Sequence, residues 1–187
     1  MNIFILDESP VKAAQLQCDK HVVKMILESA QMLSTAHRML DGYVERRPSK
    51  SGKTMVKYYV HPDPELENVL YKAVHHHHPC TVWSMESVQN YLWHYEHFVA
   101  LCVEYQYRYK KVHNTQLLLE EILATPPKNI PNKGLTPFAL AMKHEPQCIH
   151  EDEPVRSYQE YYQTKQDRFK MVWTGRQTPE WFNEKAC

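Results

Sequence analysis

The chain has 187 residues, of which 43% are hydrophobic, and its 22 basic residues balance its 22 acidic ones. This length predicts one domain with a sizeable core, and zero net charge predicts no global attraction to nucleic acid, although a local basic patch could still bind it. Four glycines beside 12 prolines argue against glycine-rich phosphate loops and against a protein dense in β-hairpins.

Cysteine usage and hydropathy indicate the compartment. The five cysteines are odd in number and form no CxxC pair, which favours free thiols in a reducing compartment. The first ten residues are too short and too acidic for a signal peptide, and no apolar run approaches the about 18 residues of a membrane span. We therefore expect a cytoplasmic protein that does not associate with membranes.

The first predicted elements lead into one long helix. A short apolar run over residues 1–6 precedes Ser9-Pro10, a helix-start signal with proline at the first helical position. A short helix over 11–17 follows, and the pattern then predicts a central buried helix over about 18–40, which Asp41-Gly42 ends.

The polar residues of that central helix form a narrow seam. At about 100° per residue, the five members fall within about 80° of one another: His21, Lys24, Glu28, Gln31 and Thr35. Apolar residues, Val23 and Leu27 among them, cover most of the remaining circumference. Because ionisable groups inside a core are costly unless they are paired or used, the seam is the candidate functional site.

The rest of the chain is predicted in order. Residues 46–57 read as a basic loop, 62–74 as the place of a small helix, 81–113 as a second long helix and 117–123 as a short amphipathic one. An irregular stretch over 125–137, an apolar plug over 138–142 and an acidic loop over 144–154 precede a last helix over 155–172 and an aperiodic tail. The predicted fold class is all-α, a compact single-domain bundle over 1–187 around the 18–40 helix, with long irregular loops.

Two further groups of residues have functional interpretations. The run over 75–78 could bind a metal through His75, His76 and His78, but no carboxylate or cysteine completes a standard ligand spacing and HExxH is absent. A polar loop is therefore preferred, and no cofactor is expected. Lys110, Lys111 and Arg176 lie among aromatic residues, which suits phosphate contacts and base stacking, or equally a core edge with solvated charges.

Sparse positions resemble a family of small helical repair enzymes. The sequence Asp19-Lys20-His21, with Glu28 seven residues after the histidine, resembles the phage-type pyrimidine-dimer DNA glycosylases, the endonuclease V family. The second long helix resembles the succession HP…H…L…E…RG…H of small bacterial relatives, through these residues: His78, Pro79, His97, Leu101, Glu104, Arg108 and His113. The resemblance covers about residues 1–115 and leaves 116–187 as an unassigned extension of helix and loop.

The resemblance implies a mechanism. In that family the α-amine of the mature N-terminus attacks C1′ of the damaged nucleoside, releases the base and leaves an imine that allows strand cleavage. A glutamate on the first long helix stabilises the cationic intermediate, a role that falls to Glu28, with His21 in the neighbouring position. Family members expose a small residue after the initiator methionine is removed. Here Asn2 follows Met1, so we expect Met1 to be retained and its α-amine to be the nucleophile, with Lys24 as the alternative. α-Amines suit the chemistry because a useful fraction of them is neutral at physiological pH.

The resulting hypothesis is a DNA N-glycosylase and abasic-site lyase acting on damaged or modified pyrimidines, in the host cytoplasm if the protein is phage-encoded. The expected catalytic residues are Glu28, His21, Lys24, Met1 and Asn2. The expected DNA-binding residues are Lys20, Gln31, Arg46, Arg47, Asn90, Arg108, Lys110, Lys111, His113, Trp173 and Arg176. Two alternatives stay open: a metal-dependent hydrolase of nucleotides or nucleic acid that uses His75–His78, and a non-enzymatic phage protein that binds DNA or a host factor.

Overall fold

The computed structural model describes residues 1–183, which form a mostly helical fold with one small β-hairpin. The helices are α1 (Pro10–Gln15), α2 (Asp19–Leu40), α3 (Pro64–Val69), α4 (Pro79–Glu86), α5 (Val88–Tyr109), α6 (Asn114–Leu123) and α7 (Pro154–Gln163). The strands are β1 (Tyr43–Pro48) and β2 (Met55–Val60), and 3₁₀ turns lie at Pro146–Cys148 and Thr164–Asp167. Of the helices described, none combines the length and hydropathy needed to cross a membrane.

The hairpin corrects the prediction of a purely all-α fold. Strands β1 and β2 are antiparallel, with Tyr43 opposite Val60 and Arg46 opposite Lys57, so half of the predicted basic loop is strand. The turn is closed by a hydrogen bond from the Ser49 amide to the Thr54 carbonyl at 2.6 Å. The lysines, arginines and serines of this segment favoured a loop, but exposed Met55 and Lys57 alternate with the less exposed Val56 and Tyr58, and Val60 reaches the core.

The predicted second long helix, 81–113, is interrupted. Ser87 is extended (φ −155°, ψ 156°) and ends α4, and its hydroxyl accepts a hydrogen bond from the Asn90 amide at the start of α5. At the other end, α5 stops at a left-handed Lys110 (φ 55°). His113 therefore lies beyond α5 and caps α6, its ring accepting from the Thr115 amide. The last helix is also shorter than predicted, because α7 stops at Gln163.

Helix α2 lies at the centre of the fold and packs against α4, α5 and α6. Residues such as Met25, Ile26 and Leu33 are fully buried. Its outer face is wider than predicted, since Val23 and Leu27 are 36% and 41% exposed. The predicted seam is thus one edge of an exposed strip on α2, formed by Lys20, Val23, Lys24 and Leu27, rather than a polar line along a mostly buried helix.

The first six residues form a buried arm that is part of no sheet. Side chains supply its hydrogen bonds: Gln17 donates to the Ile3 carbonyl at 3.2 Å and Gln159 to the Leu6 carbonyl at 3.1 Å. Phe4 has a left-handed backbone (φ 58°), and its amide donates to the Asn2 side chain at 2.9 Å. Since buried backbone groups need partners, these side chains fix the path of the arm and the position of the N-terminus.

Gly42 joins α2 to the hairpin and should not tolerate a side chain. A Cβ atom there would overlap the Arg38 carbonyl oxygen and lie 2.7 Å from the Val60 carbonyl oxygen, both of them backbone atoms. We expect Gly42→Ala to lower the free energy of unfolding by about 2 kcal/mol, within the usual cost of overpacking, as measured by urea denaturation. Gly134→Ala is the matched control because nothing lies within 4 Å of its added Cβ. Equal midpoints for the two variants would contradict the packing at this junction.

Candidate active site

Two amines flank the carboxylate of Glu28. The Met1 α-amine lies 3.5 Å from Oε2 and the Lys24 ammonium lies 3.0 Å from Oε1. The Glu28 side chain is 14% exposed, whereas that of Lys24 is 62% exposed. The site therefore has a shielded amine on one carboxylate oxygen and a solvated amine on the other.

The Met1 amine is held in place by its own residue and by the next one. The Met1 side chain is only 5% exposed, and the Thr81 hydroxyl donates to its sulfur at 3.9 Å. Asn2 is buried, and its amide group donates to the Ala141 carbonyl at 3.3 Å. Asn2 thus anchors the arm, and Met1 presents the amine to Glu28.

His78 belongs to the same electrostatic environment. Burial lowers its pKa, the positive N-terminus and His75 lower it further, and the Glu28 carboxylate partly offsets these effects. Its Nδ1 accepts a hydrogen bond from the Cys80 amide at 3.2 Å and so caps α4. A neutral ring whose Nδ1 accepts carries its proton on Nε2. From the sequence, His78 was a residue of a polar loop, an alternative metal ligand or a member of the resemblance, and its closeness to the amine depends on the path of the chain after α3.

The other histidines of that run do not assemble a metal site. His75 and His77 are exposed, and the His76 ring packs against Tyr59 and His77. Within residues 1–183, the ligand atoms of His75, His76 and His78 do not gather with one another or with other histidine, cysteine or carboxylate groups.

His21 supports the arm and does not contact Glu28 directly. Its ring stacks on Phe4 with centroids 4.8 Å apart, and its Nδ1 lies 2.6 Å from the Tyr162 hydroxyl. Tyr162 accepts from the Cys18 amide, so it donates its own proton to His21. Burial, with Lys24 and Lys165 nearby, lowers the pKa of His21 to about 3. His21 is therefore a neutral core residue that holds Phe4, three positions after the amine.

Arg108 lies at the centre of a buried ion network. Its guanidinium donates to Asp19 at 2.9 Å, to Glu104 at 2.8 Å and to the Gln15 carbonyl at 3.0 Å, and its side chain is 0% exposed. Arg176 donates to both oxygens of the same Glu104 at 3.0 and 2.9 Å. The two arginines thus join α2, α5 and the C-terminal segment. Each guanidinium nitrogen of Arg108 donates to a protein acceptor, so none is free to bind DNA.

The Asp19 carboxylate completes this network from the start of α2. Burial raises its pKa, but hydrogen bonds from Thr174 and Arg108 outweigh that effect and lower the pKa overall. The Thr174 amide and hydroxyl donate to the carboxylate at 2.9 and 2.7 Å. The Asp19-Lys20-His21 sequence therefore supplies an ion-pair anchor and a core ring, while Lys20 alone of the three is exposed.

Two more of the predicted DNA-binding residues lie inside the protein. Asn90 donates to the Trp83 carbonyl at 2.8 Å and accepts from the Thr136 amide at 2.9 Å, which ties the irregular 125–137 stretch to α5. Trp173 is buried and donates to the Leu16 carbonyl at 2.8 Å. Both side chains are buried. Their burial could not be predicted from the sequence, because it depends on contacts with segments that are distant along the chain.

The remaining predicted DNA-binding residues are at least partly accessible. Gln31 and His113 are half-buried, and the exposed members are Lys20, Arg46, Arg47, Lys110, Lys111 and Arg176. Arg176 nevertheless has its guanidinium engaged by Glu104 and over the Tyr107 ring, at 4.4 Å from the centroid. The structure thus separates Lys110, Lys111 and Arg176 on the α5 end from Arg46 and Arg47 on the hairpin.

A cationic and aromatic pocket lies beside the hairpin. The cavity of about 830 Å³ is lined by residues that include Arg47, Lys57, Tyr58, Lys72, His76 and His77. The Arg47 guanidinium and the Lys72 ammonium approach the Tyr58 ring at 5.4 and 5.5 Å. The basic composition of residues 46–57 was the signal for this surface, but Lys72 and the two histidines reach it only through the fold.

Comparisons with protein-family models, with curated proteins and with solved structures find no match for this chain. The functional proposal therefore rests on the geometry of the chain's own residues.

Proposed function

We propose that the protein is a DNA glycosylase and abasic-site lyase that acts on damaged or modified pyrimidines through the Met1 α-amine. The observation that carries the proposal is the 3.5 Å separation between this amine and Glu28. An amine nucleophile needs a partner that takes up its proton and offsets the positive charge of the imine. A carboxylate beside a fixed amine meets that requirement.

The proposed reaction begins with the neutral Met1 amine. It attacks C1′, the bond from C1′ to the base breaks, and the base leaves with the bonding electron pair and takes up a proton. The amine then loses a proton, the C1′–O4′ bond breaks with its electron pair staying on O4′, which takes up a proton, and an iminium forms between nitrogen and C1′. Glu28 offsets the charge of that iminium and exchanges protons with the amine. Loss of a C2′ proton then expels the 3′ phosphate, and water hydrolyses the imine to release the enzyme.

Two surfaces support a nucleic-acid substrate. The exposed strip on α2 places Lys20 and Lys24 beside the apolar Val23 and Leu27, next to Glu28. The hairpin pocket combines cations with aromatic rings, which suits phosphate contacts and base stacking. Such local patches can bind DNA even when the net charge of the whole chain is zero.

Borohydride trapping with an oligonucleotide that contains an abasic site tests the proposal. The reagent reduces the imine to a stable amine, so we expect a covalent protein–DNA adduct that migrates slowly on a denaturing gel. A variant with two residues added before Met1 moves the α-amine away from Glu28 and should lose the adduct. Lys24→Arg keeps the charge but has no primary amine, and it should retain the adduct.

The outcomes separate the proposal from its rivals. The absence of an adduct, under conditions that trap a control lyase, would remove the amine mechanism. If the protein then still bound the oligonucleotide in a gel-shift assay, the non-enzymatic binder would be the better description. An adduct that survives the N-terminal addition but is lost in Lys24→Arg would transfer the nucleophile to Lys24.

A further inference from the structure

Three potential metal ligands converge where α2 ends and the hairpin returns. His37 and Asp41 are one turn apart on the last turn of α2 and its C-cap, and His61 directly follows β2. One ligand atom from each residue lies within 4.8 Å of the other two. This cluster begins nine residues after Glu28, about 13 Å further along the helix axis, so it is separate from the candidate active site.

His37 presents a buried ring nitrogen that meets no hydrogen-bond criterion with any described group. Its Nε2 lies 2.9 Å from the Tyr91 hydroxyl, and that hydroxyl donates to the Leu123 carbonyl at 3.0 Å. The hydroxyl must therefore accept from Nε2–H, which leaves Nδ1 unprotonated in the neutral ring. His37 is 3% exposed and Nδ1 has no hydrogen-bond partner. A histidine whose second nitrogen is fixed by a hydrogen bond is the usual arrangement of a metal ligand.

Asp41 is held by neighbours but keeps room for a cation. Its Oδ1 accepts from the Asn129 amide at 2.9 Å and from the Asn129 side chain at 3.0 Å, and Oδ2 accepts from the Lys128 amide at 2.7 Å. A carboxylate offers about four lone-pair sites, so Oδ2 retains one. The three hydrogen bonds orient the carboxylate in the way that outer-shell partners orient metal ligands.

His61 contributes a second buried nitrogen without a partner. Its Nε2 makes no hydrogen bond, and the residue is 6% exposed. Nδ1 accepts from the Asp63 amide at 3.1 Å, so the ring proton lies on Nε2 while that bond is made. Coordination through Nε2 requires the proton to move to Nδ1, and the hydrogen bond from the Asp63 amide is then lost.

The cluster forms the floor of an open cavity. Asp41 and His61 line a space of about 850 Å³ together with Asp63, Glu65, Lys128 and Asn129. His37 is absent from this lining and approaches from the protein interior. The lining contains three carboxylates and one lysine, and it lies at the negative end of the α2 dipole. Both features favour the binding of a cation here.

We propose that His37, Asp41 and His61 bind a divalent transition-metal ion, with one side of the ion open to the cavity. Two imidazoles and a carboxylate are a ligand set that suits zinc or iron(II). The ligand atoms of tetrahedral zinc lie about 3.4 Å apart, so the three side chains close around the ion. The bound ion links the end of α2, the exit of the hairpin and the loop that contains Lys128 and Asn129.

Zinc titration of the chelator-treated, full-length protein tests this site. We expect one equivalent of zinc to bind in calorimetry, one equivalent of cobalt(II) to give visible d–d absorption, and zinc to raise the melting temperature. Asp41→Asn and His61→Gln should each weaken binding more than the about 10–100-fold that loss of an outer-shell partner costs. His76→Gln alters the rival histidine run and should bind as the wild type does.

A structural check distinguishes lost ligation from lost folding. Circular dichroism and melting in the presence of chelator should show that both ligand variants remain folded, and His61→Gln decides the outcome if Asp41→Asn is unfolded. Failure of the wild type to bind zinc or cobalt, binding retained in His61→Gln, or binding lost in His76→Gln would each overturn the proposal. None of these readouts depends on DNA cleavage, so they are independent of the proposed lyase function.

Discussion

Replacing Glu28 with glutamine is expected to lower the rate of adduct formation with abasic-site DNA by at least about 100-fold, the usual contribution of a positioned acid–base group. Glutamine has the shape of glutamate and can still contact Lys24 and Met1, but it neither accepts a proton nor offsets an iminium charge. The Lys24 ion pair is exposed but the Met1 ion pair is largely shielded, so we expect the free energy of unfolding to fall by about 1–3 kcal/mol. Single-turnover trapping and urea denaturation measure the two quantities separately.

Glu96→Gln is the matched control for this substitution. Glu96 is an exposed glutamate on α5, and its replacement should leave both the trapping rate and the stability unchanged. A Glu28→Gln variant that traps DNA at the wild-type rate would contradict the assigned role. An equal loss in both variants would show that the effect comes from surface charge and not from the site.

Acid should unfold the protein through its buried histidines. Burial lowers the pKa of His21 to about 3 and of His97 to about 4, and it lowers the pKa of the fully buried His94 well below its ordinary value. The unfolded chain, in which histidine has a pKa of about 6.5, therefore binds protons more readily than the folded one. The stabilisation is complete above that pH and is lost as the pH falls toward the folded-state values.

The expected loss is large. Each histidine costs about 1.4 kcal/mol per pH unit below its unfolded pKa, so His21 and His97 alone remove about 6 kcal/mol by pH 4. That is comparable to the total stability of a typical domain. Urea denaturation between pH 7 and pH 4.5, in the presence of chelator, measures the slope. A stability that stays constant over this range would contradict the buried, neutral state of these rings.

Variants of single histidines refine that measurement. His97 has both ring nitrogens engaged, with the Gln17 side chain 3.1 Å from Nε2 and the Pro10 carbonyl 2.9 Å from Nδ1. His97→Gln removes one protonation site, so the slope should fall by about 1.4 kcal/mol per pH unit. His144 is exposed, and His144→Gln should leave the slope unchanged.

Local signals predicted the start of α1 and the end of α2. Ser9 caps α1 by accepting from the Lys12 amide, with Pro10 at the first helical position, and α2 ends at Leu40 just before Asp41-Gly42. The break at Ser87 had no proline or glycine to mark it. There the Val88 amide donates to the Pro131 carbonyl, a contact more than 40 residues away that helical periodicity does not reveal.

Part of the candidate site could be predicted because its residues are neighbours on one helix. Helical spacing put Lys24 and Glu28 on one face, and the structure places them in contact. Glu104 and Arg108 are four residues apart on α5 and form an ion pair, but Asp19 meets Arg108 only through packing across 89 positions. The position of a charged residue in a helical pattern does not show whether a residue distant in sequence will pair with it in the core. Arg108 was therefore predicted to contact DNA although it is buried in an ion network.

The cluster at the end of α2 had a weak signal as well. His37 and Asp41 share one helix face by their spacing, but His61 joins them only because the hairpin folds back beside Gly42. The prediction of a loop in place of β1 and β2 removed the geometry that would have brought the three residues together. The histidine run at 75–78, more conspicuous in sequence, instead caps α4 and borders the hairpin pocket.

Mass-spectrometric mapping of the borohydride-trapped complex identifies the nitrogen atom that attacks C1′. After nuclease and protease digestion, we expect the sugar-derived mass on the α-nitrogen of Met1, in the peptide that contains the N-terminal arm. An adduct on Lys24, on any other lysine, or on no peptide at all would contradict the assignment of the Met1 amine as the group that attacks C1′.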